Sequence, residues 1–368
     1  MGGAARGSMG ARGMSLHVDI KAQLGAFALD VQFTAPMGVT VLFGPSGCGK
    51  SSVINAIAGL IRPDQGQIIC ESRPLFDSVA RVNLPAHRRR MGVIFQDARL
   101  FPHLNVQQNL TYGRWFAGKH RLGPSLHDTC DLLGIGHLLH RRPSALSGGE
   151  AARVAIGRAL LSAPDMILAD EPLAALDEAR RAEILPYFAA LRDAALVPMI
   201  YVSHSVPEVA GLATTVVALQ GGRVVAMGSV DDIFGRADVM GANASTMLPA
   251  RIIGHHPDGL TELATEAGHV FVPQINAAIG TSYMLRINSG DVMLARSQPS
   301  DLSALNILRG EICGVEAQSG GAVMVSLRAG NATIRARITQ RSWASMGLDM
   351  GQTCFAIVKS LSLAKGTG

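Results

Sequence analysis

The run Gly44-Pro45-Ser46-Gly47-Cys48-Gly49-Lys50-Ser51 sets glycines, a lysine and a serine at a spacing that grips phosphate. Gly44, Gly47 and Gly49 let the backbone turn tightly and aim N–H groups inward. A helix expected to begin here, with Ser52 in its first turn, adds positive potential. Lys50 has the reach for terminal phosphates, and the Ser51 hydroxyl suits Mg²⁺. Pro45, Ser46 and Cys48 fill the loop between the glycines, Cys48 as a small residue that fits. The chemistry on offer is the binding of a nucleoside triphosphate as its magnesium complex.

Further polar groups stand at the ends of apolar runs. Gly92 to Phe95 delivers Gln96, an amide able to ligate a metal and still move. Asp165 to Pro172 reads as a buried strand closing on two carboxylates, Asp170 and Glu171. Successive strand residues point to opposite sides. Asp170 is therefore assigned to the Mg²⁺ shell and Glu171 to an attacking water. Met199 to Ser203 ends at His204, and Ser147-Gly148-Gly149 opens a helix read over Glu150 to Leu161. That second glycine-bearing helix start suits another phosphate.

The elements that must carry these groups alternate between strand and helix. Val39 to Phe43 reads as a buried strand running into the phosphate loop, and Ser52 to Leu60 as the helix after it. Ser15 to Ile20 and Phe27 to Phe33 read as two strands ahead of it, a candidate antiparallel pair, and Gln67 to Cys70 as another. Leu110 to Phe116 and Leu126 to Leu139 have helical spacing and form a helical insertion after Gln96. Val216 to Leu219 and Val224 to Met227 form a hairpin around Gln220-Gly221-Gly222-Arg223. From Arg251 onward short strands recur between turn residues, which predicts a small all-β, OB-like barrel.

Composition narrows the classes. A chain of 368 residues with 48% hydrophobic content supports two or three packed domains. No stretch approaches the apolar length of a membrane-spanning helix. The five cysteines are scattered, with no CxxC pair, so neither zinc ligation nor a disulfide framework is indicated, and a reducing compartment fits. Aromatic residues are 5%, too few for base stacking as the main recognition chemistry. Net charge is +5, and the densest basic run, His87-Arg88-Arg89-Arg90, is short and reads as a solvated face; no nucleic acid is expected as a partner.

In order, the phosphate loop, Gln96, Leu146 to Glu150, Asp170-Glu171, Leu176-Asp177 and His204 resemble the nucleotide-binding subunit of an ATP-binding cassette (ABC) transporter, over about Met14 to Gly235. The resemblance implies an α/β P-loop NTPase cassette with an antiparallel region and a helical subdomain. It also implies roles. ATP and Mg²⁺ are the bound groups. Lys50 and the loop amides hold the β- and γ-phosphates, and Ser51 and Gln96 ligate Mg²⁺, with Asp170 acting through its water shell. Glu171 is the general base and His204 contacts the γ-phosphate. Ser147, Gly148 and Gly149 serve the nucleotide held by a second copy, so a homodimer is implied. The fifth signature residue, commonly Gln, is Glu150 here. An aromatic residue near the start of such cassettes often stacks on adenine. Phe27 stands near that place, but its alternation with Leu29 and Val31 equally marks a core position.

Phe95-Gln96-Asp97-Ala98-Arg99-Leu100-Phe101-Pro102-His103-Leu104, Asn109-Leu110-Thr111-Tyr112-Gly113 and Tyr201-Val202-Ser203-His204-Ser205 resemble bacterial molybdate importer ATPases. Leu100, Phe101 and Leu104 read either as the contact with transmembrane permease subunits or as internal packing. Ser303 to Ile312 resembles the molybdenum-pterin-binding (Mop) segment, and Lys359-Ser360 its closing pair. Leu305 stands where that pattern usually has Arg, which removes a cation. Molybdate binding there and packing between two β-domains are both open. The expected division is an extension over 1–13, with Met14 as a candidate start, and a cassette over 14–237 whose helical subdomain is about 97–160. A linker over 238–250 and a β region over 251–365 follow, with the Mop part about 289–361. The function implied is ATP-driven molybdate import at the cytoplasmic face of a bacterial inner membrane, served indirectly by a periplasmic substrate-binding protein. Alternatives are import of sulfate, tungstate, iron or a polyamine, a non-transport ABC ATPase, and a molybdate-responsive binding module.

Overall fold

The computed structural model describes residues 16–115, 124–174, 176, 178–194, 197–240, 244–318, 320–360 and 364–365. The expected N-terminal extension, Met14 and Asp177 lie outside the described residues. The chain divides into two compact units. One runs to His204 and includes Leu212–Met227; the other contains Ser205–Gly211 and the chain from Gly228.

The first unit is built on an eleven-stranded sheet. Its parallel part runs in the order Thr215–Gln220, Val39–Phe43, Met199–Ser203, Met166–Asp170, Met91–Ile94. Val39–Phe43, Met199–Ser203 and Met166–Asp170 are buried along nearly their whole length, which explains why they read as unbroken apolar runs. The strands Leu16–Leu24 and Phe27–Ala35 alternate buried and exposed residues and pair antiparallel. The helix Lys50–Ala58 buries Val53, Ile54 and Ile57 in one core with Leu42, Leu168 and Ile200 of the central strands. That packing fixes the phosphate loop at the carboxyl end of Val39–Phe43, where open α/β sheets place their ligands.

The helical insertion is present with different ends. Its first helix is Val106–Thr111, ahead of the expected Leu110, and continues as a 3₁₀ turn over Tyr112–Trp115. Asn105 sets the start through a capping box: its side chain accepts from the Gln108 amide, and Gln108 accepts from the Asn105 amide. The second helix, Leu126–Leu133, stops at Gly134 rather than at Leu139. Both pack on the helix Gly148–Leu161. At Gly157 an added Cβ would lie 2.8 Å from Leu110 and 3.1 Å from Leu133, so only glycine admits both neighbours this closely.

The second unit holds two five-stranded sheets that share one core. One runs Gly268–Pro273, Leu260–Thr265, Ser245–His255, Ser282–Asn288, Ala364–Lys365; the other Met293–Ala295, Thr353–Val358, Asn306–Gln318, Ala322–Ala329, Ala332–Thr339. The buried Asn306 amide ties the two sheets together, accepting from the Phe271 N–H at 2.6 Å and donating to the Phe271 carbonyl at 3.0 Å. The sequence predicts a linker over 238–250, but the strand Ser245–His255 begins inside it. Ser245 to Leu248 are all buried, so the alternation that marks a strand is missing, and Pro249 reads as a breaker. The helices Val230–Phe234 and Ala237–Met240, which lie across the expected boundary between a cassette ending at 237 and a linker from 238, belong to this unit. Arg335 of Ala332–Thr339 lies 3.6 Å from Asp231, which anchors the first of them.

Candidate functional site

The phosphate loop leaves the strand at Gly44 and enters the helix at Lys50. Gly47 and Gly49 take φ of 78° and 106°, a region other residues rarely enter. No side chain caps this helix, so its first-turn N–H groups are aimed into the loop without intrahelical partners. That is a ready cradle for phosphate oxygens. Lys50 is buried, and its ammonium donates to the Gly44 carbonyl at 2.8 Å and the Pro45 carbonyl at 3.0 Å. Pro45, Ser46, Gly47 and Ser51 are exposed on the loop rim, while Cys48 is buried beneath it and Ser52 is half-buried. Phe27 is half-buried, and its ring edge lies 3.1 Å from where a Cβ on Gly49 would stand. It backs the loop and packs on the core.

Asp170 ends the strand Met166–Asp170, and its Oδ1 accepts from the Ser51 hydroxyl at 3.0 Å. Burial pushes the Asp170 carboxyl above its ordinary value, with the nearby Glu171 charge adding to the rise. Ser51, Lys50 and Arg99 act the other way. The donor set is thus a hydroxyl and a half-desolvated carboxylate, hard oxygen ligands that suit a small divalent cation completed by phosphate and water. Gln96 lies exposed at the end of the neighbouring strand Met91–Ile94.

Glu171 adopts φ of 43°, a strained setting for a non-glycine residue. Its N–H donates to the Val202 carbonyl at 3.2 Å, and its Oε2 lies 3.3 Å from His204 Nδ1. Two adjacent strands of the sheet thereby bring the expected base and the expected histidine face to face.

Ser147 caps the helix Gly148–Leu161. Its hydroxyl accepts from the Glu150 N–H at 3.2 Å, and its own N–H donates to Glu150 Oε2 at 2.7 Å. Glu150 is therefore half of a capping box, a Ser-x-x-Glu signal present in the sequence but read there only as a family variant. Gly148 and Gly149 face Leu176 and Ile184. Among the described residues no hydrogen bond joins Ser147, Gly148 or Gly149 to residues 44–52. The bond from the Ser147 amide, aided by Arg141, holds the Glu150 carboxyl below its ordinary value of 4.5. A depressed carboxyl adds stability above that value and loses it as pH falls through the lowered one. Glu150→Ala is expected to melt about 2–4 °C lower at pH 7, corresponding to about 1 kcal/mol. The deficit should shrink when the melt is repeated below pH 4.5.

Two side chains that the motif reading passed over also shape the site. Arg158 donates to the carbonyls of Ala98 and Arg99, and Arg99 lies over the Phe95 ring at 4.1 Å. Arg158 sits inside the apolar run Val154 to Leu161, a cation at a position that periodicity assigns to packing. Phe101, a candidate permease contact, is taken up internally by Tyr112 at 4.4 Å and Arg158 at 5.3 Å. In the second unit Ser303 and Leu305 are exposed, and Ser360 accepts from Asn306 at 3.3 Å. Lys359 is exposed.

The ABC transporter family profile matches residues 29–174, and the TOBE domain profile matches 302–364. The molybdenum import ATP-binding protein ModC of Mesorhizobium japonicum is 49% identical over 354 residues, covering 95% of this chain and 96% of its own. The chain belongs to the ModC family. The ModC of Rhizobium johnstonii is 48% identical over 356 residues, covering 95% of this chain and 99% of its own. CbiO1 of Clostridium perfringens, part of the ABC transporter complex CbiONQ, shares the fold at a TM-score of 0.52 and 24% identity. That match covers 62% of this chain and 93% of CbiO1. As a ModC-family ABC ATPase, this chain binds and hydrolyses ATP. Its C-terminal all-β sheets are consistent with a TOBE domain, whose profile takes in the strands from Asn306 onward.

Proposed function

We propose that the chain is the ATP-hydrolysing subunit of a molybdate importer, acting as a pair beneath a membrane permease. The carrying observation is the likeness to ModC proteins across 95% of the chain, the C-terminal β unit included. No described helix is long and apolar enough to cross a membrane, which fits a subunit that works through separate permease chains. The place proposed is the cytoplasmic face of the inner membrane, with a periplasmic binding protein delivering substrate to the permease.

In this reading the loop amides and Lys50 bind the β- and γ-phosphates. Ser51, Gln96 and, through water, Asp170 would hold Mg²⁺, which when bound neutralises charge on the transferring phosphoryl group. Glu171 takes the proton of the attacking water, and His204, 3.3 Å from it, orients that carboxylate and reaches the γ-phosphate. Phosphoryl transfer asks mainly for position and charge neutralisation, and these strand-end groups supply both. Ser147 and Gly149 serve the nucleotide of the second copy, which accords with their lack of bonds to this chain's own loop. Leu100 and Leu104 remain candidates for the permease contact.

Reconstitution with the cognate permease and binding protein tests the substrate. Molybdate is expected to stimulate ATP hydrolysis several-fold, with sulfate, ferric iron and polyamines without effect. Stimulation by one of those instead would reassign the substrate. The C-terminal unit is given a regulatory part, with Ser303, Lys359 and Ser360 toward the oxyanion. Titration calorimetry of the full chain with molybdate, without nucleotide, should release heat; a flat trace would remove that part.

A further inference from the structure

The segment that carries Gln96 is not packed tightly against the helix that carries Ser147. A cavity of about 210 Å³ separates them, walled on one side by Phe95, Gln96 and Ala98 and on the other by the small residues Gly148, Ala151 and Ala152. The firm connection lies farther along the same helix. Arg158 Nη1 donates to the Arg99 carbonyl at 2.9 Å and Nη2 to the Ala98 carbonyl at 3.1 Å. Its guanidinium also lies over the Phe101 ring at 5.3 Å. A planar fork that spans two successive carbonyls fixes direction as well as distance, which a single ammonium cannot do.

We infer that Arg158 is a positioning residue that couples the Gln96 segment to the Ser147 end of the helix. Arg158 stands about 16 Å from Ser147 along a continuous helix, so a shift at one end is delivered to the other as a rigid displacement. The cavity lets the Gln96 segment move without colliding with the first turns of the helix. The fork makes the far end follow. Arg99 belongs to the same device: it holds φ of 43° beneath the fork, its guanidinium covers Phe95, and its charge reaches Asp170. Occupation of this chain's own nucleotide site is thereby reported to the face it presents to a second copy.

This rests on the proposed two-copy site, and the test separates the two. Arg158→Met is expected to lower kcat about tenfold or more while leaving KM and MgATP binding within about twofold. The melting temperature should stay within a few degrees. Arg158→Lys keeps the charge but not the fork, and should fall between Met and wild type; it also decides the matter if Arg158→Met does not fold. Wild-type kcat in Arg158→Lys would overturn the inference. So would a parallel loss of binding, stability and kcat in the variants, the mark of a merely structural residue. A wild type whose specific activity does not depend on protein concentration would instead overturn the two-copy reading itself.

Discussion

Glu171→Gln is expected to bind MgATP as wild type does and to turn it over on the order of a hundredfold more slowly or worse. The substitution keeps shape and hydrogen-bonding capacity at a residue held with φ of 43° and tied by its N–H to Val202. What it removes is the ability to take a proton from water. The loss should therefore appear in kcat with KM little changed, and an ATP-bound pair should accumulate on size-exclusion chromatography. Near-normal turnover would take the base assignment away from Glu171 and leave His204, 3.3 Å away, as the group to test.

Asp170→Asn is expected to separate stability from activity. Burial raises the Asp170 carboxyl above 3.8, so the folded protein holds that proton more tightly than the unfolded chain. The sign follows: stability is lost as pH rises through the window between the ordinary and the raised value, and at neutral pH the carboxylate is a liability. Asparagine removes the charge and retains an acceptor for the Ser51 hydroxyl. The variant should melt at or above the wild-type temperature without nucleotide. It should also lose the Mg²⁺-dependent part of the stabilisation that ATP gives, with kcat reduced on the order of a hundredfold. A lower melting point together with an unchanged response to Mg²⁺ would contradict the assignment.

The groups proposed for the chemistry were legible because each follows a short apolar strand, Met166–Asp170 and Met199–Ser203 buried on both faces and Met91–Ile94 on one. Such strands appear as short unbroken apolar runs, and the polar residue closing each run stands out: Gln96, Asp170 with Glu171, and His204. The Gly-x-x-x-x-Gly-Lys-Ser spacing needs no tertiary information to be read. Less legible were features set by pairing across the fold. The strand Ser245–His255 opens with four consecutive buried residues and then meets Pro249, so its first half carries no alternation to mark where it starts. The early start of Val106–Thr111 depends on the reciprocal bonds of Asn105 and Gln108, a local signal that apolar periodicity outweighed. Arg89 shows the limit most clearly. It lies in a run that reads as a solvated basic face, yet it is fully buried and donates to the Ala56 and Ile57 carbonyls at the end of the phosphate-loop helix. Nothing in the local sequence marks a cation as the cap of a helix some thirty residues earlier.

Specific ATPase activity against concentration of the isolated wild-type protein tests the shared site most directly. If the nucleotide gripped by Lys50 is cleaved only when Ser147 and Gly149 of another copy close over it, activity per chain falls toward zero on dilution and saturates as pairs form. Constant activity per chain down to concentrations at which light scattering finds only single chains would contradict the account.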